Sequence, residues 1–416
     1  MRTLSLVESV RQQVLRVQSE IDTLEASEFP YDHSRFALDD VRRIFEDHAT
    51  ALGSLTEDDS QSVVELLCNA AFKDVRDLLP ILGFILRSTN VRNAFEVWGP
   101  LWRLSCQVMG TKSKLLLSSE WEYSPYTFVG YEQLPGFVLI GFPATESANP
   151  FLLPLAGHEL GHSVWGNAKL RSEFSPIMQD HILKAIVTSK WSEFTELFPG
   201  YTQQDIQCDS LGWQTWEPAS AWAVRQAEES FCDFLGVRLF GEAFLHSSAY
   251  LLAPSRKGPR SYEYPNKRDR ASALVAAAGR DGLAVPDGFG TMFHDLDEPP
   301  AEYERTRLLL ALADSARRSI LLQLEAKAES ITGSAGVPKR DPGKIGECLA
   351  SFRLMIPAEQ SGGLANILNA GWEALLAPGF FTDVLQEKHK ADYLSELILK
   401  SAEILEVESR LAEVLC

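Results

Sequence analysis

Between residues 3 and 26 the apolar positions Val7, Val10, Val14, Val17, Ile21 and Leu24 recur at alternating steps of three and four, with polar residues between them. That period describes a helix with one narrow apolar seam, able to pair with a protein partner as a short coiled coil or to pack on the chain's own body. At under four heptads, the second use is favoured. A further helical region is expected from about Asp39 to Cys106, broken near Gly53 and Pro80. After Gly110 the pattern changes. Residues Trp121 to Phe142 are rich in aromatic and β-branched side chains, punctuated by Pro125, Gly130, Pro135 and Gly136. Two strands, near Tyr126–Tyr131 and Phe137–Phe142, are expected to form a hairpin through Leu134-Pro135-Gly136. The second of these is expected at the sheet edge, free to add an extended peptide by main-chain pairing; the alternative is an interior strand. Helical patterning returns over 151–252. A basic loop at 253–270 and a Gly-rich connection from Gly279 to Gly290 then lead to helices near 300–329, 345–357, 363–376 and 391–414. The expected division is a helical region at 1–110, a mixed region at 111–280 and a second helical region at 281–416.

Composition narrows the function classes. With 39 Lys and Arg against 57 Asp and Glu, the 416-residue chain carries a net charge of −18, which repels nucleic-acid phosphates and anionic lipid. Neither nucleic acid nor membrane is expected as a partner. The basic loop, with Arg256, Lys257, Arg260, Lys267, Arg268 and Arg270, is expected to face substrate or to be salt-bridged. No apolar stretch approaches the roughly 20 residues that span a bilayer. Glu8, Arg11, Gln12 and Gln13 interrupt what a signal peptide would need as its apolar core, so a cytoplasmic location is expected. The six scattered cysteines fit reduced thiols.

The chemistry is concentrated in Gly157-His158-Glu159-Leu160-Gly161-His162, an H-E-x-x-H sequence. On a helix, positions i and i+4 share a face, so both imidazoles point at one metal ion with Glu159 beside it. A catalytic zinc takes three protein ligands and leaves a fourth position to water, so a third ligand is required. Glu229 and Asp233 supply it as E-x-x-x-D: Glu229 as the ligand, and Asp233 as the acceptor that orients His158 or His162 through its other ring nitrogen. Glu228 competes with Glu229, but Cys232 occupies its i+4 position. His246 is an alternative third ligand. The other histidines have no ligand-spaced context. The sequence elements of serine hydrolases, P-loop hydrolases and dinucleotide enzymes are missing.

These two motifs resemble the gluzincin metallopeptidases. Tyr264-Pro265 through Arg270 to Leu274 matches the spacing of an H-P-x-x-x-x-R-I-x-x-L element in the CAAX-prenyl-endopeptidase and heat-shock HtpX type, with Tyr in place of the leading His. Those relatives are usually embedded in membranes, and the resemblance spans about residues 125–275. It implies an α+β, helix-dominated chain with a zincin-like core, in which a small sheet lies beside the metal-binding helix. It also implies a Zn²⁺ cofactor held by His158, His162 and Glu229, and hydrolysis of a peptide or protein substrate with Glu159 as the base. Tyr264 and Arg270 are expected to assist the developing oxyanion; the alternative is that Tyr264 is a packed aromatic and Arg270 a salt-bridge partner. The competing functional reading is a non-proteolytic zinc-binding scaffold or interaction protein that retains the site.

Overall fold

The computed structural model describes residues 5–56, 58–89, 94–128, 134–208, 210–254, 258–294, 297–300, 302–381 and 389–415. Among the described residues helix dominates beside one small three-stranded sheet, an α+β organisation. The chain divides into two compact units, Met1–Trp98 with Thr111–Ala148, and Gly99–Gly110 with Asn149–Cys416. The strands belong to the first unit, while the H-E-x-x-H helix belongs to the second.

In the first unit, α1 (Leu6–Glu25), α2 (Asp32–Gly53) and α3 (Gln61–Arg87) pack together. Ser5 caps α1, its hydroxyl accepting the Glu8 N–H at 3.2 Å. Val10, Val14, Val17, Ile21 and Leu24 are buried in the core shared with α2 and α3, so the apolar seam is filled by the chain's own helices. Burying each such side chain contributes roughly 1.5–3 kcal/mol. Helix α3 runs through Pro80, where a break was expected. A helix-interior proline removes one hydrogen bond, but Leu78, Ile81, Leu82, Phe84 and Ile85 are all buried around it, and their packing offsets that loss.

The sheet has the order β1-β3-β2, with β1 at Lys114–Glu120, β2 at Tyr126–Phe128 and β3 at Phe137–Pro143. The β2/β3 hairpin is antiparallel, pairing Tyr126 with Gly141 and Phe128 with Leu139. Residues 129–131 of the expected first strand lie outside the described residues. Strand β3 is central, not an edge: β1 pairs along it in parallel, from Lys114 with Phe137 to Glu120 with Pro143, and all seven β3 residues are buried. The unbroken run Phe137-Val138-Leu139-Ile140 is the signature of a strand covered on both faces, where an edge strand would alternate. Addition of a peptide to this strand is therefore withdrawn.

The second unit comprises α4 (Trp98–Met109, all but its first residue), α5 (Ala156–Asn167), α6 (Leu170–Thr188), α7 (Trp191–Leu197), α8 (Gln203–Cys208), α9 (Ser210–Phe240), α10 (Glu242–Leu252), α11 (Lys267–Arg280), α12 (Phe289–Met292), α13 (Glu304–Ser319), α14 (Leu321–Ser334), α15 (Pro342–Arg353), α16 (Leu364–Leu376) and α17 (Lys390–Leu415). Its hub is α9, packed by α5, α6, α8, α10, α11, α13, α14 and α16. Ala223, Ala227, Phe231, Phe234, Leu235 and Phe240 are buried around its circumference, as in a helix enclosed on all sides. Among the described residues, no helix is long and apolar enough to cross a membrane.

Helix α5 meets α9 almost backbone to backbone. A Cβ added at Gly161 would lie 2.7 Å from Cys232 Cα, and one at Gly157 would lie 3.1 Å from Gly236 Cα. Gly157 and Gly161 on one helix thus face Gly236 and Cys232 on the other, each pair four residues apart. Gly161→Ala should force the helices apart and cost about 1–3 kcal/mol, the usual penalty of overpacking. Urea unfolding of the purified variant measures this; a wild-type midpoint would show that the contact tolerates a side chain.

Candidate metal centre

The centre is built on this helix contact. Before α5, the 3₁₀ turn Pro150–Leu155 is capped by Asn149, whose side chain accepts the Phe151 N–H at 3.0 Å. The Phe151 carbonyl then accepts from Ser247 Oγ at 2.7 Å and Trp372 Nε1 at 3.1 Å, which fixes where α5 begins. Every residue from Ala156 to His162 is buried. Further along α5, the Trp165 ring packs on Phe231 of α9, with centroids 5.6 Å apart.

The imidazoles of His158 and His162 lie 5.0 Å apart, nearly perpendicular. Both direct Nε2 toward Glu229 on α9: His158 Nε2 is 3.3 Å from Oε2, and His162 Nε2 is 3.6 Å from Oε1. The first is at the outer limit of a hydrogen bond and the second lies beyond it. Ligands placed tetrahedrally at about 2.0–2.1 Å from zinc lie roughly 3.3–3.4 Å apart, a spacing that the first separation meets and the second exceeds. His158, His162 and Glu229 are thus brought together with their donor atoms facing one another.

Each histidine is held from behind by a carboxylate. Nδ1 of His158 is 3.0 Å from Asp233 Oδ1, and Nδ1 of His162 is 2.8 Å from Glu228 Oε1. Each carboxylate in turn holds an arginine. Arg270, on α11, donates to Asp233 through Nε at 2.5 Å and Nη2 at 2.7 Å, while Arg225 donates to Glu228 Oε2 at 2.6 Å. Arg270 is thus a salt-bridge partner of Asp233, with its Nη1 also 3.8 Å from Glu229 Oε2. Sequence reasoning treated Glu228 only as a competing ligand and assigned Arg225 nothing. Adjacent residues on a helix point about 100° apart, so Glu228 and Glu229 cannot occupy the same place, and their juxtaposition was the available signal.

Charge follows geometry. Burial disfavours ionisation of Glu229 and Asp233, but His158 and Arg270 outweigh it and pull both carboxyls down to about 2. Burial lowers His158, yet hydrogen bonds to Asp233 and Glu229 prevail and raise it to about 10. Glu159 is only 5% exposed and makes no hydrogen bond or ion pair with another described side chain; burial pushes its carboxyl upward.

Cys232 is a competing donor, since His158, His162 and Cys232 have ligand atoms all within 4.8 Å of one another. Its side chain is fully buried at the contact with Gly161, and burial, followed by Glu229, Glu228 and Asp233, holds the thiol well above its ordinary range. A thiolate there would face three carboxylates, whereas the Glu229 carboxyl is held in its ionised form. His246 is placed elsewhere, stacked on Trp372 with centroids 5.1 Å apart. Of the unassigned histidines, His33 accepts from the Leu115 N–H, His48 pairs with Asp74, and His181 bonds to Ser315.

Tyr264 sits in the turn before α11, 44% exposed. The charge on Glu229, followed by burial, raises its phenol, which therefore senses the field of the site. The turn is anchored by Arg260, which donates to the Tyr264 carbonyl at 3.3 Å and clamps Asp314 through Nη1 at 2.8 Å and Nη2 at 2.5 Å. Arg260 and Arg270 therefore follow the salt-bridged reading of the basic loop, and Lys267 donates to the Leu252 carbonyl at 3.0 Å. Arg256 and Lys257 lie outside the described residues.

No protein-family model, curated protein or solved structure matches the chain.

Because zinc takes neutral imidazole, its binding near pH 7 should expel the His158 proton, and apparent affinity should rise about tenfold per pH unit from pH 6.5 to 8.5. Calorimetry in buffers of different ionisation enthalpy measures that release; a heat independent of buffer would contradict it. Asp233→Asn should weaken zinc binding about 10–100-fold in a chelator competition.

Proposed function

We propose that the chain is a zinc-dependent metallopeptidase that hydrolyses peptide bonds in a peptide or protein substrate. The observation that supports this best is the approach of His158 Nε2 and His162 Nε2 to the two oxygens of Glu229 at 3.3 and 3.6 Å, beside a buried Glu159 carboxylate. The resemblance of the two motifs to the gluzincins points the same way. His158, His162 and Glu229 would hold the metal, and zinc when bound supplies Lewis acidity and brings the pKa of water from 15.7 to about 7.

The protein's own groups account for the proton traffic. Glu159 takes a proton from the attacking water and returns it to the leaving amine. Burial raises its proton affinity and so suits it to both halves of that task. A carboxylate buried without a protein partner costs stability. A scaffold needing only to bind metal would have no use for that cost, which weighs against the non-proteolytic alternative. Tyr264, half-exposed and coupled electrostatically to Glu229 and Glu159, is suited to donate its hydroxyl to the oxygen that gains charge on attack. Asp233 and Arg270 keep His158 in register and are not consumed.

Glu159→Gln should keep zinc and fold yet lose essentially all cleavage of a proteome-derived peptide library, read by mass spectrometry. Wild-type cleavage by that variant would remove Glu159 from the mechanism, and zinc-loaded wild type that cleaves nothing would favour the scaffold. Tyr264→Phe should lower kcat by about 10²–10³-fold with metal content unchanged. A wild-type rate would leave Tyr264 as an ordinary packed aromatic.

A further inference from the structure

The two histidines are supported from opposite sides, and the supports differ. Behind His158, Asp233 and Arg270 are enclosed, with 3% and 15% of their side chains exposed. Behind His162, Glu228 is equally enclosed at 8%, but Arg225 is 37% exposed. Its Nε is also 4.0 Å from Glu263, in the same turn as Tyr264. The carbonyl of the preceding residue, Tyr262, accepts from Gln226 Nε2 of α9 at 2.9 Å, and the Tyr262 ring packs on Trp222 with centroids 4.7 Å apart. The stretch of α9 from Trp222 to Glu228 therefore holds the turn bearing Tyr264 and, through Arg225 and Glu228, His162 as well.

We propose that Glu228 and Arg225 are positioning residues for His162, forming a second histidine-carboxylate-arginine chain that mirrors His158-Asp233-Arg270 and ties the metal ligand to the turn bearing Tyr264. This rests on the zinc reading above. The physical reason is geometric. A metal-bound imidazole must present Nε2 with its ring plane fixed, and an acceptor on Nδ1 sets both the tautomer and the plane. Glu229 is shared by both histidines and has no further oxygen to spare for that purpose. Glu228 Oε1 takes the Nδ1 position, and Arg225 fixes the remaining oxygen, Oε2, so the carboxylate cannot rotate away.

The test compares Glu228→Gln, Arg225→Ala and Arg225→Lys with wild type and Glu229→Ala in the full-length protein. Zinc affinity is read by competition with a chromophoric chelator, ligand geometry by the visible spectrum of the cobalt(II) form, and fold by circular dichroism. Glu228→Gln should weaken zinc binding about 10–100-fold and shift the cobalt bands with the fold intact. Arg225→Ala should move both readouts in the same direction, and Arg225→Lys should restore most of the loss. A Glu228→Gln protein with wild-type zinc affinity and cobalt spectrum overturns the proposal. If Glu229→Ala still loses zinc in that case, the metal centre stands and only the second chain is wrong. If the wild type itself binds no zinc, both readings fall together.

Discussion

The separation of two helix backbones governs this site. His158 and His162 approach Glu229 because α5 lies against α9 with glycine at Gly157 and Gly161, opposite Gly236 and the small Cys232. A side chain at Gly161 would require the two helices to shift, and one at Gly157 would press on Phe240 and Gly236. The sequence Gly-His-Glu-Leu-Gly-His thus holds two instructions at the same period. Glycines at i and i+4 bring the helices together, and histidines one residue later, also at i and i+4, use the closeness. Burial then follows from packing and raises the energetic stakes of each charge.

Those stakes explain why so much of α9 near the site is ionic. Five ionisable groups on two helices, His158, His162, Glu228, Glu229 and Asp233, are all buried, and isolated charges at such depth would be prohibitive. Arg270 from α11 and Arg225 from α9 itself complete the pairing. Breaking one partner would leave another charge uncompensated, which costs more than the pair contributes. Glu159 stands outside these pairs, making no hydrogen bond or ion pair with another described side chain.

Much of this was legible in the residues. The H-E-x-x-H period placed His158, Glu159 and His162 on one buried helix, and the i, i+4 spacing placed Glu229 and Asp233 on another facing it. The role of Glu228 was not legible, because helical spacing says which residues share a face of one helix but not which atoms meet across two. Arg225 shares a face with Glu228 at i and i+3, but that pairing had no meaning until Glu228 was seen to meet His162. In the first unit the α1 seam was readable, whereas β1 was not: Lys-Leu-Leu-Leu-Ser-Ser-Glu neither alternates nor carries β-branched residues. Missing it made β3 look like an edge. Pro80 misled because local propensity yields to an apolar face packed on both sides of the proline.

The central claim is that two imidazoles and the Glu229 carboxylate, rather than the nearby Cys232 thiol, hold zinc. X-ray absorption at the zinc edge of the purified protein tests it most directly. The account predicts a coordination shell of nitrogen and oxygen at about 2.0–2.2 Å, including two imidazoles and no sulfur. A sulfur scatterer at about 2.3 Å would move the third ligand to Cys232 and contradict the site as described.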